Sequence, residues 1–424
     1  MKSSRYNIYH MQDDKFYIYH QLSSALIQVD KNLFESLRQS DIAQIETDTI
    51  EQLRKMALIC DTSVEESDLI VAMNKKARYA NQAVRMTIMP TMNCNFNCWY
   101  CYESHEKKVM TQENIATTIA FAKNIIEQQR PRQFIIDWFG GEPLMCFKKH
   151  VYTISKEIKK ACEQNGISFK NIITTNGYYI TPDMITLFNE IELNTFQITL
   201  DGAKEFHNKT RFMEKDRNSY DRICRNIELL CAGIKRPSLT LRLNYTKENI
   251  STIDDIIETF PKEIRPLITI SMQVVWQQKH EMEKEIKLIC QKEKLFKAAG
   301  YIIKDSFCAH THSALSCYAE NMQQYVINYD MNVYKCTARD FNDKRFSIGH
   351  ISADGVFIPT PLYYKYYATP SAFENEICLK CELLPSCKSA CIQKRIEGMQ
   401  VACRKEFIES NVKNKVHTLV NRLK

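Results

Sequence analysis

Three cysteines within one short stretch are the residues of this sequence with the clearest chemistry. Cys94, Cys98 and Cys101 lie in the stretch 91–103, which reads Thr-Met-Asn-Cys-Asn-Phe-Asn-Cys-Trp-Tyr-Cys-Tyr-Glu. Three thiolates on one loop can hold a metal centre but leave one position of a four-ligand site vacant. Structural zinc normally takes a fourth protein ligand, whereas a [4Fe–4S] cluster can leave one iron open to a small molecule. The spacing therefore favours a cluster, and a three-cysteine zinc knuckle is the alternative.

A second group of cysteines lies near the C-terminus. Cys378, Cys381, Cys387 and Cys391 are separated by two, five and three residues, and Cys403 follows. Such a dense group is typical of a closed zinc ribbon and equally of an iron–sulfur site. Cys308, Cys317 and Cys336 are widely spaced ahead of this group. The six other cysteines are isolated, and we predict that they are ordinary small buried residues: Cys60, Cys146, Cys162, Cys224, Cys231 and Cys290.

Composition indicates a globular protein with more than one structural unit. The chain has 424 residues, of which 44% are hydrophobic and 25% are charged. A net charge of +7, spread along the chain, does not indicate nucleic-acid binding. We find no signal peptide and no apolar run of membrane-spanning length, so we expect a cytoplasmic protein without a membrane partner. In that compartment, the many cysteines indicate metal ligation rather than disulfides.

The first 80 or so residues contain no cysteine cluster and predict a small α+β domain, residues 1–83. Short β-rich runs at Ile8–His10, Phe16–His20 and Ser24–Val29 precede helical patterns at Lys31–Arg38 and Thr49–Leu58. Such a domain fits a stabilising lid. It fits equally well a module whose strand edge accepts an extended peptide as an extra strand.

From Val84 onward, strands alternate with helices. The pattern predicts a partial parallel (β/α)6 TIM-like barrel over residues 84–300, with the ligand site at the carboxyl ends of its strands. The six predicted strands are Val84–Met89, Phe134–Phe139, Ile172–Thr174, Thr195–Leu200, Leu239–Leu243 and Leu267–Ser271. The predicted helices are Thr111–Arg130, Tyr152–Gln164, one from Thr181, one around Tyr220–Leu230, and Glu281–Ala299.

Polar residues follow these strands at the places where a barrel binds its ligand. Gly140, Gly141 and Glu142 follow the second strand, where glycines permit close backbone approach and a carboxylate can accept hydrogen bonds from an ammonium group. The later strands are followed by Asn176, Asp201, Arg211 and Asn244. Each of these fits ordinary turn chemistry when taken alone, but their order along the chain favours a binding site.

The cysteine stretch resembles the signature of the radical S-adenosylmethionine (radical SAM) enzymes, in which an aromatic residue, here Tyr100, precedes the last cysteine. Gly140, Gly141 and Glu142 resemble the motif that holds the amino group of the SAM methionine. The residues that resemble sequences lining the SAM site are Asn176, Asp201, Arg211 and Asn244. The resemblance implies that Cys94, Cys98 and Cys101 bind a [4Fe–4S] cluster, and that SAM is cleaved reductively to a 5′-deoxyadenosyl radical.

Residues 301–424 resemble the SPASM domain, a C-terminal extension that holds two auxiliary [4Fe–4S] clusters, which would bring the total to three. The ligands implied for one cluster are Cys378, Cys381, Cys387 and Cys403. Those implied for the other are Cys317, Cys336 and Cys391, with Cys308 as the candidate fourth ligand. One departure is Met331, because the pattern usually has a glycine five residues before the cysteine at position 336.

The resemblance implies a maturase that oxidatively modifies or cross-links a ribosomally made peptide through a thioether or a carbon-based bond. Its partners would be the precursor peptide, bound through its leader, and an electron donor such as flavodoxin or ferredoxin. An anaerobic sulfatase maturase that forms formylglycine is the alternative. That subfamily has an aspartate directly after the cysteine corresponding to Cys336, whereas this chain has Thr337, with Asp340 as the nearest acid. A non-catalytic zinc-binding scaffold is the third hypothesis, and no catalytic base is assigned.

Overall fold

The protein consists of two compact units. The structure is a computed structural model and describes residues 1–278, 282–304, 315, 317–339, 341–387, 391–398, 403 and 405–421. We name residues 1–80, 307–322 and 365–424 the terminal unit, and residues 81–306 and 323–364 the barrel unit. This grouping differs from the predicted segments 1–83, 84–300 and 301–424, because the last segment contributes to both units. As a division of function, the three segments remain a prediction.

The N-terminal part of the terminal unit is a small α+β structure, as predicted. Its elements are β1 (Lys2–Ser3), β2 (Asn7–Gln12), β3 (Lys15–His20), β4 (Leu26–Val29), α1 (Lys31–Gln39), α2 (Thr47–Lys55), β5 (Ile59–Cys60) and α3 (Glu66–Tyr79). Strands β2, β3 and β4 form an antiparallel sheet, and β1 pairs with β5. Helix α3 was not predicted from the sequence.

Both faces of the three-stranded sheet are covered by apolar side chains of the same unit. On one face, Ile18 packs against Phe34 and Leu37 of α1. On the other, Tyr17 and Tyr19 pack with side chains near the C-terminus, Val416 and Val420. The N-terminal sheet and the C-terminal helix therefore share one core.

An eleven-stranded sheet forms the centre of the barrel unit. The elements up to residue 303 are β6 (Ala83–Ile88), α4 (Gln112–Gln129), β7 (Gln133–Trp138), α5 (Thr153–Gln164), β8 (Ser168–Thr175), α6 (Pro182–Glu190), β9 (Leu193–Leu200), α7 (Lys204–Thr210), α8 (Ser219–Gly233), β10 (Ser238–Tyr245), β11 (Ile268–Val274), α9 (Met282–Ala298) and β12 (Ile302–Ile303). Strands β6 to β12 are neighbours in chain order, and all their pairings are parallel. The predicted partial parallel barrel with six βα units is confirmed.

Alternation along the strands determines which side chains face the helices. On β7, Phe134, Ile136 and Trp138 are fully buried. The Trp138 indole Nε1–H donates to Ser155 Oγ of α5 over 3.2 Å, which places this set on the helix side. Because successive side chains of a strand point to opposite faces, the positions between them face the barrel interior.

The sheet continues beyond β6 into a short antiparallel extension. Its strands are β13 (Gln324–Ile327), β14 (Asn332–Tyr334), β15 (Gly349–Ile351) and β16 (Phe357–Pro359). Strand β13 pairs in parallel with β6, and the later strands pair in antiparallel fashion. Met331, in the β13–β14 turn, has a φ of 66°. Met331 therefore has the left-handed backbone conformation that glycine adopts most easily, at the position where the SPASM pattern usually has glycine.

The C-terminal part of the chain contains short helices and one longer one. They are α10 (Pro361–Ala368), α11 (Glu376–Leu379), α12 (Ile392–Ile396) and α13 (Lys405–Asn421). Within the terminal unit, the buried Arg78 of α3 donates to Thr369 O over 3.0 Å and pairs with Glu374 over 3.3 Å. None of the helices that the structure describes is both long enough and apolar enough to cross a membrane.

Candidate active site at the carboxyl ends of the strands

The cysteine loop follows β6 directly, at the carboxyl end of the strand. Cys94 and Cys98 are half-buried and Cys101 is exposed. Burial raises the pKa of all three thiols, and that of Cys101 rises to about 11. Without a cation the thiols are therefore protonated, and a bound metal would have to displace these protons. None of the described cysteines forms a disulfide.

Gly140 and Gly141 are required by contacts within the protein. Both have left-handed backbone conformations, with φ values of 79° and 50°. A Cβ on Gly141 would lie 2.3 Å from the carbonyl oxygen of Asn93, the residue before Cys94. A Cβ on Gly140 would lie 2.8 Å from Met89 Cβ. The glycines therefore let the end of β7 pack directly against the cysteine loop.

Glu142 links the ends of two strands. Its carboxylate accepts hydrogen bonds from Leu144 N (2.9 Å), Thr175 Oγ1 (2.7 Å) and Asn176 N (2.8 Å). Burial raises the pKa of Glu142, and these hydrogen bonds oppose the shift. Both carboxylate oxygens thus have protein donors. The role of Glu142 as acceptor for a SAM ammonium group remains a prediction.

Four of the predicted residues form one buried hydrogen-bond network. The Tyr100 hydroxyl donates to Asp201 Oδ2 over 2.6 Å and accepts from an Arg211 terminal nitrogen over 2.8 Å and from Asn244 Nδ2 over 3.0 Å. Tyr100 lies between two cysteines of the loop, while Asp201 and Asn244 lie at the ends of β9 and β10. The network therefore fixes the cysteine loop to the later strands of the barrel.

Asn176 is the remaining predicted residue and also contacts the loop. Its Nδ2 donates to Asn95 Oδ1 over 2.7 Å, and Asn95 follows Cys94 directly. The structure thus brings together the residues that the sequence placed at successive strand ends. Each of the predicted strand-end residues contacts the cysteine loop, or contacts another residue that does so, through a hydrogen bond or a backbone contact.

A cavity of about 180 Å³ opens beside the loop. Its lining includes Tyr100, Cys101, Gly141 and Arg211, together with residues that sequence reasoning missed: Glu103, Arg242 and Trp276. Glu103 Oε2 accepts from Gly141 N over 2.7 Å, and its Oε1 is buried without a protein partner. Position 103 ends the cysteine stretch, so its nearness to the loop was a usable signal. Arg242 and Trp276 carry no comparable signal.

The structure gives the positions of the C-terminal cysteines except Cys308, and it places the members of one predicted ligand set near one another. Burial raises the pKa of Cys378, and the neighbouring thiols of Cys387, Cys381 and Cys403 contribute, while Arg395 opposes the shift. These four predicted ligands therefore lie near one another in the terminal unit. Of the second set, Cys317 and Cys391 lie in the terminal unit and Cys336 follows β14 in the barrel unit. Cys308 lies outside the described residues. Both ligand sets remain predictions.

The residues around the loop fit a [4Fe–4S] cluster with a small polar ligand. The loop offers three thiols, and Asp201 Oδ1, Arg211 Nε and Glu103 Oε1 are buried polar atoms without a protein partner. Glu103 and Arg211 line the cavity, and orphaned polar atoms there are expected where a polar ligand binds. In the described part of the chain, no three cysteine, histidine or acidic side chains converge closely enough for a single metal ion. A cubane cluster holds its thiolates farther apart, because each thiolate binds a different iron atom.

Comparison with known proteins agrees with this geometry. Residues 88–260 match the model of the radical SAM superfamily. This chain contains a radical SAM domain. The domain begins at the end of β6 and spans the cysteine loop, the glycine pair and the Tyr100 network.

Relatives and solved structures extend the likeness. A cysteine-type anaerobic sulfatase-maturating enzyme of Clostridium novyi is 31% identical over 193 residues, which are 43% of this chain and 49% of that protein. The matches span about a third to a half of the length of the first curated relatives. The structure of native anSMEcpe with bound AdoMet and Cp18Cys peptide has a TM-score of 0.60 at 16% identity, covering 81% of this chain and 100% of that one. Streptococcus suis SuiB bound to S-adenosylmethionine has a TM-score of 0.50 at 14% identity, covering 94% of this chain and 97% of that one. At these identities the two structures establish the fold alone.

Proposed function

We propose that this protein is a radical SAM peptide maturase that oxidatively modifies or cross-links a ribosomally made peptide. The observation that supports it best is the cavity beside the cysteine loop, which is open enough to admit a side chain of an extended substrate. The fold it shares with anSMEcpe, whose structure holds a peptide and AdoMet, favours a peptide over a small metabolite.

Cys94, Cys98 and Cys101 would hold the SAM-binding cluster, and the cavity next to them would hold SAM. When bound, the reduced cluster and SAM together supply the abstraction of a hydrogen atom from an unactivated carbon. The protein's own contribution is position and charge. Tyr100 keeps the loop on the strand ends, and Arg211 places a positive charge that opposes the raised pKa of Cys94, Cys98 and Cys101.

The cysteines of residues 301–424 would hold further iron. We propose that Cys378, Cys381, Cys387 and Cys403 bind one auxiliary cluster, and that Cys317, Cys336 and Cys391 bind another, with Cys308 as the candidate fourth ligand. The chemistry of such clusters is electron transfer, which an oxidative modification of the substrate needs. An external donor such as flavodoxin or ferredoxin would supply the reducing electron.

Removal of the loop thiols tests the assignment. After anaerobic reconstitution, we expect about twelve iron atoms per chain, and about eight in the triple variant Cys94→Ala, Cys98→Ala, Cys101→Ala. Formation of 5′-deoxyadenosine from SAM should disappear in that variant. A matched control replaces three isolated cysteines instead, Cys60, Cys146 and Cys290, and should keep both the iron and the cleavage. Production of 5′-deoxyadenosine above background by the loop variant would refute the proposal.

We also propose that the N-terminal sheet binds a leader peptide along a free strand edge. Strands β2 and β4 are the edges of this sheet among the described residues. Deletion of residues 1–80 is a poor test, because Val416 and Val420 would lose Tyr17 and Tyr19 from their shared core. A single change at the exposed edge residue Gln28 preserves that core.

Formation of formylglycine is the second candidate function, favoured by the Clostridium novyi relative. Thr337 stands where that subfamily has its aspartate, and Asp340 lies outside the described residues. Incubation of the reconstituted enzyme with the Cp18Cys peptide and mass spectrometry separates the two functions. Conversion of the peptide's cysteine to formylglycine would favour the sulfatase maturase. Stoichiometric zinc without visible absorption or SAM cleavage would favour a binding scaffold.

A further inference from the structure

The interior of the barrel is polar near the cavity. The strand residues that line the cavity are Thr174, Gln197, Thr199, Arg242 and Asn244. They alternate with apolar residues that are fully buried, such as Ile173, Ile198 and Leu241. The interior of a packed (β/α)8 barrel is instead filled by branched apolar side chains. Polar side chains around an open space indicate a polar ligand.

Arg242 is a cation in this lining that forms no ion pair with an acidic side chain among the described residues. It lies on β10 and is half-buried, and its Nε–H donates to Asn244 Oδ1 over 2.8 Å. Among the described residues, no acceptor takes a hydrogen bond from its two terminal nitrogens, and no carboxylate lies within 4.0 Å of them. Arg85, another half-buried arginine of the barrel strands, pairs with Asp137 over 3.1 Å. A partly desolvated guanidinium without an anion is unfavourable, so its retention in a cavity points to an anionic ligand.

Arg242 and Arg211 both line the cavity but have different hydrogen-bond partners. Arg211 donates to Tyr100 and opposes the raised pKa of each of the three loop thiols. Arg242 is not among the charged groups with the largest effect on those thiols. A ligand at an open iron would lie beside the thiols and therefore beside Arg211. The terminal nitrogens of Arg242 are left for a second ligand.

We infer that Arg242 anchors a carboxylate-binding subsite in the barrel cavity, which takes an acidic side chain of the peptide substrate. The inference rests on the proposed function in so far as the ligand is a peptide. The planar guanidinium presents two parallel N–H groups that match the two oxygens of a carboxylate. Asn244 holds the Nε–H, so the guanidinium is oriented before the ligand arrives.

Two matched peptides test the subsite without turnover. One is a capped pentapeptide with a central glutamate among alanines, and the other has glutamine in its place. Binding to the reconstituted enzyme with SAM is measured by calorimetry and by the fluorescence of Trp276, which lines the same cavity. We expect the wild type to bind the glutamate peptide at least about tenfold more tightly, a difference of about 1.4 kcal/mol. Arg242→Gln should abolish the preference, and Arg242→Lys, which keeps the charge, should retain part of it.

Arg85→Gln is the control, because it removes a barrel arginine that already has an acidic partner, and it should keep the preference for glutamate. Equal binding of the two peptides by the wild type, or a preference that survives Arg242→Gln, would overturn the inference. SAM affinity is measured on the same variants and should change less than about twofold. A tenfold loss of SAM affinity in Arg242→Gln would assign the subsite to the carboxylate of SAM and would also overturn it. The proposed function is tested separately by SAM cleavage, so either result can fail without the other.

Discussion

Substitution of Gly141 by alanine tests whether the contact between the end of β7 and the cysteine loop controls the metal site. The change adds a Cβ that would lie 2.3 Å from Asn93 O, whereas such contacts need at least 3.0 Å. The backbone at Asn93 must therefore move by several tenths of an ångström, and Cys94 is the next residue. The same carbonyl accepts a hydrogen bond from Glu142 N over 2.9 Å, which the movement would weaken.

Gly166 provides the matched control. It has a similar left-handed conformation, with a φ of 66° against 50° at Gly141, but an added Cβ there would meet no atom within 4 Å. Gly166→Ala should therefore lower the free energy of unfolding only by the backbone penalty, about 1 kcal/mol. Gly141→Ala adds the weakened hydrogen bond, about 1 kcal/mol, and steric strain of about 1–3 kcal/mol. We expect the two variants to differ by about 2–4 kcal/mol.

Urea unfolding of the two variants measures this difference, and iron content with SAM affinity reports on the loop. Gly141→Ala should lose iron or SAM affinity, while Gly166→Ala should match the wild type in both. Two variants of equal stability, or a Gly141→Ala protein with full iron and normal SAM binding, would refute the reasoning that this close contact positions the thiols.

Two further predictions concern the terminal unit. The His20 N–H donates to Ala25 O over 2.9 Å, so by alternation along the strand the Gln28 N–H points away from β3. Gln28→Pro removes this N–H and should therefore weaken binding of a precursor peptide encoded beside the gene, while Gln28→Ala keeps it and should not. Equal binding by both variants would argue against this edge. Burial lowers the pKa of His20 to about 4, below the value of about 6.5 expected in the unfolded chain. Between these pH values only the unfolded state binds the proton, so lowering the pH from 6.5 toward 4 favours unfolding. The free energy of unfolding should therefore fall by up to about 3 kcal/mol over this range because of His20. Urea unfolding across this range should show a shallower pH dependence for His20→Gln, and an unchanged slope would contradict the assignment.

The sequence by itself determined the order of the barrel and the position of its site. Strand patterns with period two alternated with helical patterns, and this rhythm defined β6 to β11 because parallel strands need a crossover between them. The spacing of Cys94, Cys98 and Cys101 is a local property, so it could be read without the fold. Asp201 and Asn244 could be placed because each ends a strand, and parallel strands end at one edge of the sheet.

Helix α3 shows where the pattern misleads. A solvent-facing helix normally buries apolar residues, but α3 buries three polar residues beside Ile70, while Leu69 and Met73 are exposed. The three are Glu66, Asn74 and Arg78. Its polar residues are buried because partners distant in sequence satisfy them: Glu66 accepts from Arg5 N, and Arg78 pairs with Glu374. No window of sequence around the helix contains those partners.

Only the tertiary structure shows which residues at the strand ends are paired within the protein and which remain available to a ligand. It shows that Glu142 accepts hydrogen bonds from Leu144, Thr175 and Asn176, and that Gly141 contacts Asn93 although the two are far apart in the chain. It also shows that Arg242 faces the cavity without an anion, although an arginine inside a strand carries no such signal in the sequence. Spacing along a chain specifies which groups can share a local motif. Which group pairs with the protein and which remains for a ligand depends on distances that arise only when the strands are side by side.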